Sequence, residues 1–317
     1  MAYSSNLDRP PATRSAVQQP VLAGNLLGVA SMVTWAAAFP VADILLQTWS
    51  ALALIFARLV IAVAFLMPVW MLTDGYHTIL RVHWARGLTV GGIGFGFGTY
   101  LILVAQDLTD PVTVALIASC APMAGFLLEI TSRRRRLTGR FLLGMCASII
   151  GGFIATSSIG TSTIGPGTAL AVLSVFLFSW GSDRAVRDFP DLSPIGRTTL
   201  TLTGALCVVT LVCLGALLLG FDGALSAEPK PADIPRLLLY AIITMAVSQG
   251  LWIACVGRIG VALASFHINV APFYVMLIML VLGQGWDWSK AAGATLVAIG
   301  VIIAQSRPRN SKQTPPA

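Results

Sequence analysis

The residues that could do chemistry in this chain are a few polar side chains set inside long apolar runs. His267 stands two residues before Asn269 and five before Pro272, and Arg58 lies within another apolar run. An ionisable group in such a setting is costly, so by default it marks function. His267 suits a ligand hydrogen bond or proton carriage, against the alternative of a neutral ring satisfied by a neighbouring helix. Pro272 frees a backbone carbonyl one turn earlier, and freed backbone groups are tolerated where they line a polar cavity. Arg58 suits bidentate pairing with a substrate carboxylate; its alternative is a framework role against a neighbouring helix or the outer interface. Trp35, Tyr100, Trp180 and Trp252 are deep aromatics able to hold apolar or aromatic groups. Ser248, Gln249 and Asn269 could hydrogen-bond an amino acid backbone. Asp43, Glu129, Asp183 and Arg184 lie toward the ends of their runs, where hydration lowers the cost.

No HExxH, P-loop or nucleophile elbow occurs, so ATP hydrolysis is not expected, and neither a catalytic constellation, a metal site nor a cofactor is called for. Cys120, Cys146, Cys207, Cys213 and Cys255 all fall in apolar runs without CxxC spacing, which reads as small buried hydrophobes. The Gly-rich stretch from Gly91 to Gly98 does not fit GxGxxG and follows no strand. Close helix approach or a hinge explains it better.

The elements that must position these residues are set by composition. Of 317 residues, 56% are hydrophobic and only 10% charged, with a mean hydropathy of +0.83; a soluble domain carries roughly 25% charged residues. Apolar runs long enough to cross a bilayer cover about 21–46, 51–72, 87–106, 110–130, 139–158, 166–186, 197–220, 235–256, 259–282 and 288–305. Uninterrupted runs of this length predict helices, not barrel strands. The expected fold class is therefore all-α integral membrane, with ten transmembrane helices and no separate water-facing domain. The first twenty residues lack a signal-peptide pattern, so the first run is expected to stay as a span.

Sidedness follows from the basic residues. Arg9, Arg14, Arg81, Arg86, the Arg133 to Arg136 cluster, Arg140, Arg184, Arg187, Arg197, Arg258, Arg307, Arg309 and Lys312 share one side of the ten-span arrangement, against Lys230, Arg236 and Lys290 on the other. Positive charge marks the cytoplasmic side, which places both termini there. The Arg133 to Arg136 cluster is a topology anchor and not a nucleic-acid site, and Trp49, Trp70, Trp84, Trp286 and Trp288 read as interfacial anchors. The predominance of Arg over Lys, 17 to 3, suggests a bacterial source and hence a bacterial cytoplasmic (inner) membrane.

Five spans per half implies halves that cross in opposite senses, the inverted-repeat plan of secondary transporters. Trp35 and Trp180 sit at similar depths in spans one and six, Ala121-Pro122 and Ala271-Pro272 interrupt spans four and nine, and Gly144/Gly151 and Gly293/Gly300 put small-residue stripes in spans five and ten. With the Trp35-Ala-Ala-Ala-Phe39 stretch and Arg58-Leu59, these features resemble EamA-type members of the drug/metabolite transporter superfamily, over about residues 21 to 305. Two departures involve charge: Asp43 stands where the family often has Lys, and Leu282-Gly283-Gln284 stands where Leu-Gly-Glu is frequent. The resemblance implies a polar segment 1–20, a first five-helix repeat at 21–158, a second at 159–305 and a tail at 306–317. It also implies a carrier exporting amino acids or similar metabolites by alternating access through a central cavity, bending at Pro40, Pro122 and Pro272, with a small-molecule substrate and lipid as its partners. An intramembrane enzyme on a lipid or prenyl substrate, and a channel or structural subunit, are the alternatives.

Overall fold

The computed structural model describes residues 14–108, 117–118, 121–133, 138–156, 165–283, 286 and 288–305. Among them the regular elements are helical, apart from one isolated bridge between Trp49 and Ala227. The first helix, α1 (Arg14–Ala36), begins seven residues before the expected span. It breaks at Ala37 and continues as α2 (Ala38–Leu45). Pro40 explains the break, because it lacks an amide proton for the Ala36 carbonyl. α3 (Ala51–Asp74) follows, then the short α4 (Tyr76–Arg81). α5 (Trp84–Gly91), a π-helical stretch Gly92–Phe97 and α6 (Gly98–Leu108) form one continuous rod. α7 (Ala121–Thr131) carries Pro122 at its second residue, and α8 (Gly139–Thr156) follows.

The chain continues through α9 (Pro166–Arg187) and α10 (Pro194–Leu218). A second composite rod joins α11 (Asp233–Leu238), a π-helical stretch Leu239–Val247 and α12 (Ser248–Ile259). A third joins α13 (Val261–Ala264), the 3-10 stretch Ser265–Val270 and α14 (Ala271–Val281), with Pro272 in the first turn of α14. α15 (Trp288–Gln305) is last. The expected polar ends at 1–20 and 306–317 lie outside the described residues, except that 14–20 already belong to α1. Of the expected fourth span, 110–116 and 119–120 lie outside them too.

Six helices among the described residues are long and apolar enough to cross a membrane: Val21–Ala42, Ala51–Asp74, Pro166–Arg187, Pro194–Leu218, Asp233–Ile259 and Val261–Ile278. Their outer faces carry large apolar side chains in the open, with Leu218 87% and Leu72 86% exposed. Water would penalise so continuous an apolar surface, whereas lipid is its natural solvent. The chain is a multi-pass membrane protein.

Packing pairs the helices in a regular way. α1 lies on α12, and α9 lies on α6; α3 lies on the π stretch of the eighth span, and α10 on that of the third; α1 meets α14, and α9 meets α7. α3 with α10, α7 with α13 and α8 with α15 complete the set. Glycines permit the closest crossings. Along the third span Gly94 faces Gly181 of α9, while Gly91, Gly92 and Gly96 face Thr201, Gly204 and Ala205 of α10. Gly144 meets Gly300 and Ala304 in the same manner.

Both α3 and α10 begin with a serine N-cap. Ser50 accepts from the Ala53 amide at 3.4 Å, and Ser193 from the Gly196 amide at 3.0 Å. The two helices run antiparallel. The start of α3 is tied to the segment that follows α10 through Ser50 N–H to the Ser226 carbonyl at 2.9 Å. The end of α3 is tied to the start of α10 through Ser193 N–H to Asp74 Oδ2 at 3.0 Å.

Candidate functional site

The bundle has two chemically different ends. At one, Arg86 and Arg184 share Asp188, with N–O distances of 3.0 and 3.1 Å, and Arg187 pairs with Asp183 at 3.1 Å while donating to Ser132. Here Glu129 accepts the Ala262 amide at 3.0 Å, holding α7 to the start of α13. At the other end Asp233 gathers the Lys230 amide at 3.1 Å, Thr48 at 3.3 Å and Arg236 at 3.4 Å. Arg86, Arg184 and Arg187 at the arginine-rich end are among the basic residues that the sequence groups on one side.

Between these ends, Arg58 reaches from α3 into the π stretch of the eighth span. Its guanidinium carbon lies 4.1 Å from the centre of the Tyr240 ring. Nη1 donates to the Tyr240 hydroxyl at 3.3 Å, and Nη2 donates to the Thr244 carbonyl at 3.0 Å and hydroxyl at 3.2 Å. Nε is buried with no hydrogen-bond partner among the described residues. A π turn spaces successive residues more widely than an α turn and is often found at functional positions. Here it presents the aromatic face and the hydroxyls to one cation.

A line of aromatic rings crosses from span three to span eight. Phe95 meets Phe178 edge-on at 5.4 Å, and Phe178 meets Trp252 at 5.7 Å. Trp252 donates from Nε1 to Ser182 Oγ at 2.9 Å, so this indole is a buried, satisfied core residue. Ser31 and Ser248 exchange hydrogen bonds between α1 and α12, each hydroxyl donating to the other's carbonyl, at 2.8 and 2.9 Å. That clasp consumes the Ser248 hydroxyl expected to serve a ligand. His267 is buried in the 3-10 stretch with Nδ1 3.1 Å from the Ala264 carbonyl, and its ring lies flush on Gly28, where an added Cβ would sit 2.8 Å away.

The expected site residues are thus only partly assembled. Trp35 and Trp252 share the main apolar core, Gln249 lies one turn before Trp252, and His267 and Asn269 are buried on the adjoining 3-10 stretch. Trp35 is packed edge-on against Phe39 at 5.2 Å. Trp180 is half-buried and outside that core, and Tyr100 stacks on Phe97 at 6.3 Å. Gln249 Nε2 is buried without a partner among the described residues. Pro40, Pro122 and Pro272 each stand within three residues of a helix start.

Among the described residues, Met32, Leu59 and Leu66 share one buried apolar core with Leu202, Ile253 and Val261. A cleft of about 10 Å³ beside Tyr100 and a larger groove of about 490 Å³ do exist. The groove runs along the outside of α3 by Trp49, Phe56, Val60 and Leu225, away from the other site residues. Trp70, expected at the interface, is fully buried, donating to Asp74 Oδ2 at 3.1 Å and packing on Trp84 at 5.8 Å.

Sequence reading missed Tyr240, Thr244, Phe178 and Ser182. For Tyr240 a signal existed, since a cation inside a span needs a partner at matching depth.

Residues 22–157 match the EamA-like transporter family. This is a family of transporters, so a membrane carrier of small molecules is the activity that the match suggests. A solved crystal structure of a protein superposes with a TM-score of 0.75, covering 90% of this chain and 98% of that one at 17% identity. At that identity the likeness concerns the fold. No curated protein matches the chain.

Proposed function

We propose that the chain is a ten-span secondary carrier that exports amino acids, aromatic or otherwise apolar, or similar small metabolites across a bacterial cytoplasmic membrane. The likeness drawn is to aromatic amino acid exporters of the drug/metabolite superfamily. Two five-helix repeats, 21–158 and 159–305, enclose the solute pathway, and both termini face the cytoplasm. The observation that carries this reading is the correspondence between halves. α3 and α10 are serine-capped and antiparallel, spans three and eight each contain a π stretch, and spans four and nine each carry a proline at a helix start. The contacts of span one with spans eight and nine are repeated by span six with spans three and four.

Such a pair of similar, oppositely directed halves has two packings of comparable energy, which is the physical basis of alternating access. The packed core is then one state of the cycle. The solute enters when the halves part beside Trp35, Trp180 and Trp252, and the buried His267 and Asn269 with the half-buried Gln249 and Arg58 become its polar partners, with Tyr100 at the margin. Breaks at Pro40, Pro122 and Pro272 let one part of a span tilt without unwinding the rest.

Counterflow in proteoliposomes tests the reading. Labelled L-phenylalanine should accumulate transiently in vesicles preloaded with unlabelled L-phenylalanine. A channel would equilibrate it without overshoot, and an enzyme would leave vesicle contents unexchanged. Absence of overshoot across a panel of labelled amino acids would refute the proposal.

A further inference from the structure

Among the described residues, Arg58 is a charged group with neutral company. It lies about 10 Å along the helix axis from Ala51. Its contacts are a phenol ring, a phenol hydroxyl, a threonine hydroxyl and a backbone carbonyl. Among the described residues the ion pairs are Arg86 and Arg184 with Asp188, Arg187 with Asp183 and Arg236 with Asp233; none involves Arg58. A cation withdrawn from water is costly unless a compensating charge reaches it. The ring face recovers part of that cost, and the hydroxyls and carbonyl hold the group in one orientation. They satisfy the two terminal nitrogens and leave the Nε edge buried and unmatched among the described residues. A guanidinium edge is the geometric complement of a carboxylate.

We infer that Arg58, held by Tyr240 and Thr244, is the anion subsite of the carrier, so that the transported solute must bear a carboxylate and an otherwise similar amine is rejected. The inference rests on the amino acid carrier reading and narrows it. Tyr240 and Thr244 are positioning residues: they hold the terminal nitrogens so that the Nε edge is presented when the bundle opens. Because Arg58 ties α3 to the eighth span, arrival of the carboxylate also competes for a contact between the two halves. Solute binding and opening are thereby coupled in one interaction.

The test compares two probes of the same ring and length on the purified full chain in detergent: L-phenylalanine, and phenethylamine, which lacks the carboxylate. Equilibrium binding of both is measured by competition and by ligand-induced thermal stabilisation. The unsubstituted protein should bind L-phenylalanine at least about tenfold more tightly, the usual effect of losing charge-assisted hydrogen bonds. Arg58→Gln should remove that preference while leaving phenethylamine binding within about twofold, and Arg58→Lys should keep part of it. Asp43→Asn should leave both affinities within about twofold, whereas a tenfold change would make an internal carboxylate the counter-charge and overturn the inference.

Equal binding of both probes by the unsubstituted protein would refute the anion subsite without any variant, so poor folding of Arg58→Gln does not protect it. Preference retained in Arg58→Gln would refute it as well. Binding of neither probe would refute the amino acid reading itself, and the subsite with it.

Discussion

Gly94 and Gly181 cross where the third and sixth spans touch, and the crossing gives a sharp test of how the core is built. A Cβ on Gly94 would lie 2.6 Å from the Gly181 Cα, and one on Gly181 would lie 2.8 Å from the Gly94 Cα. Carbon atoms pack best at about 3.5–4.0 Å, so Gly94→Ala must move one helix axis by about 1 Å. The displacement falls on Phe95 and Phe178, 5.4 Å apart, and through them on Trp252. Overpacking of this kind costs roughly 1–3 kcal/mol. One turn away on the same rod, a Cβ on Gly98 would lie 3.6 Å from the Ser174 carbonyl oxygen and 3.7 Å from Leu177 Cβ, which is ordinary contact. Gly98→Ala therefore gains helix propensity of about 1 kcal/mol without a clash. The measurement is the fraction of full-length protein that stays monodisperse on size exclusion after heating in detergent. Gly94→Ala should lose several degrees relative to Gly98→Ala, which should match or exceed the unsubstituted protein. If Gly94→Ala is as stable as Gly98→Ala, the reasoning from close backbone approach fails.

Other perturbations address separate contacts. Gly260 has φ +81° and its added Cβ would strike Glu129 Oε1, so Gly260→Ala should destabilise the protein by about 1–3 kcal/mol, seen as a lower melting midpoint. Ser31→Ala and Ser248→Ala, alone and together, should show a coupling of about 1 kcal/mol in a double-mutant cycle on stability, because two reciprocal bonds join the same residues. Trp35→Ala and Trp180→Ala should weaken counterflow of bulky apolar amino acids while membrane insertion is kept; unchanged transport would remove those rings from the pathway. His267→Ala should abolish transport or its pH dependence, and wild-type behaviour in both respects would assign the ring to packing on Gly28.

How much was legible in the sequence depended on the range over which each cause acts. A span is decided by some twenty consecutive residues, because lipid charges each exposed peptide group locally; Ala51–Asp74 and Pro194–Leu218 could be read without knowing their neighbours. The interruptions at Pro122 and Pro272 and the small-residue stripes holding Gly144 and Gly300 were legible for similar reasons, since each rests on a residue with few structural options; that these two stripes meet each other was not.

What the tertiary structure alone decided concerns partners distant in sequence. Arg58 meets Tyr240, 182 positions away, and Ser31 meets Ser248, 217 away; nothing local to either member specifies the other. The two π stretches were equally hidden, because Leu239–Val247 has the composition of any apolar helix. Trp70 looked like an interfacial anchor until Asp74 supplied its hydrogen bond and Trp84 covered it. The packing of the core was beyond the sequence for a deeper reason: one set of apolar faces can pack in more than one way, and the choice between packings is a small difference among many contacts spread over the bundle.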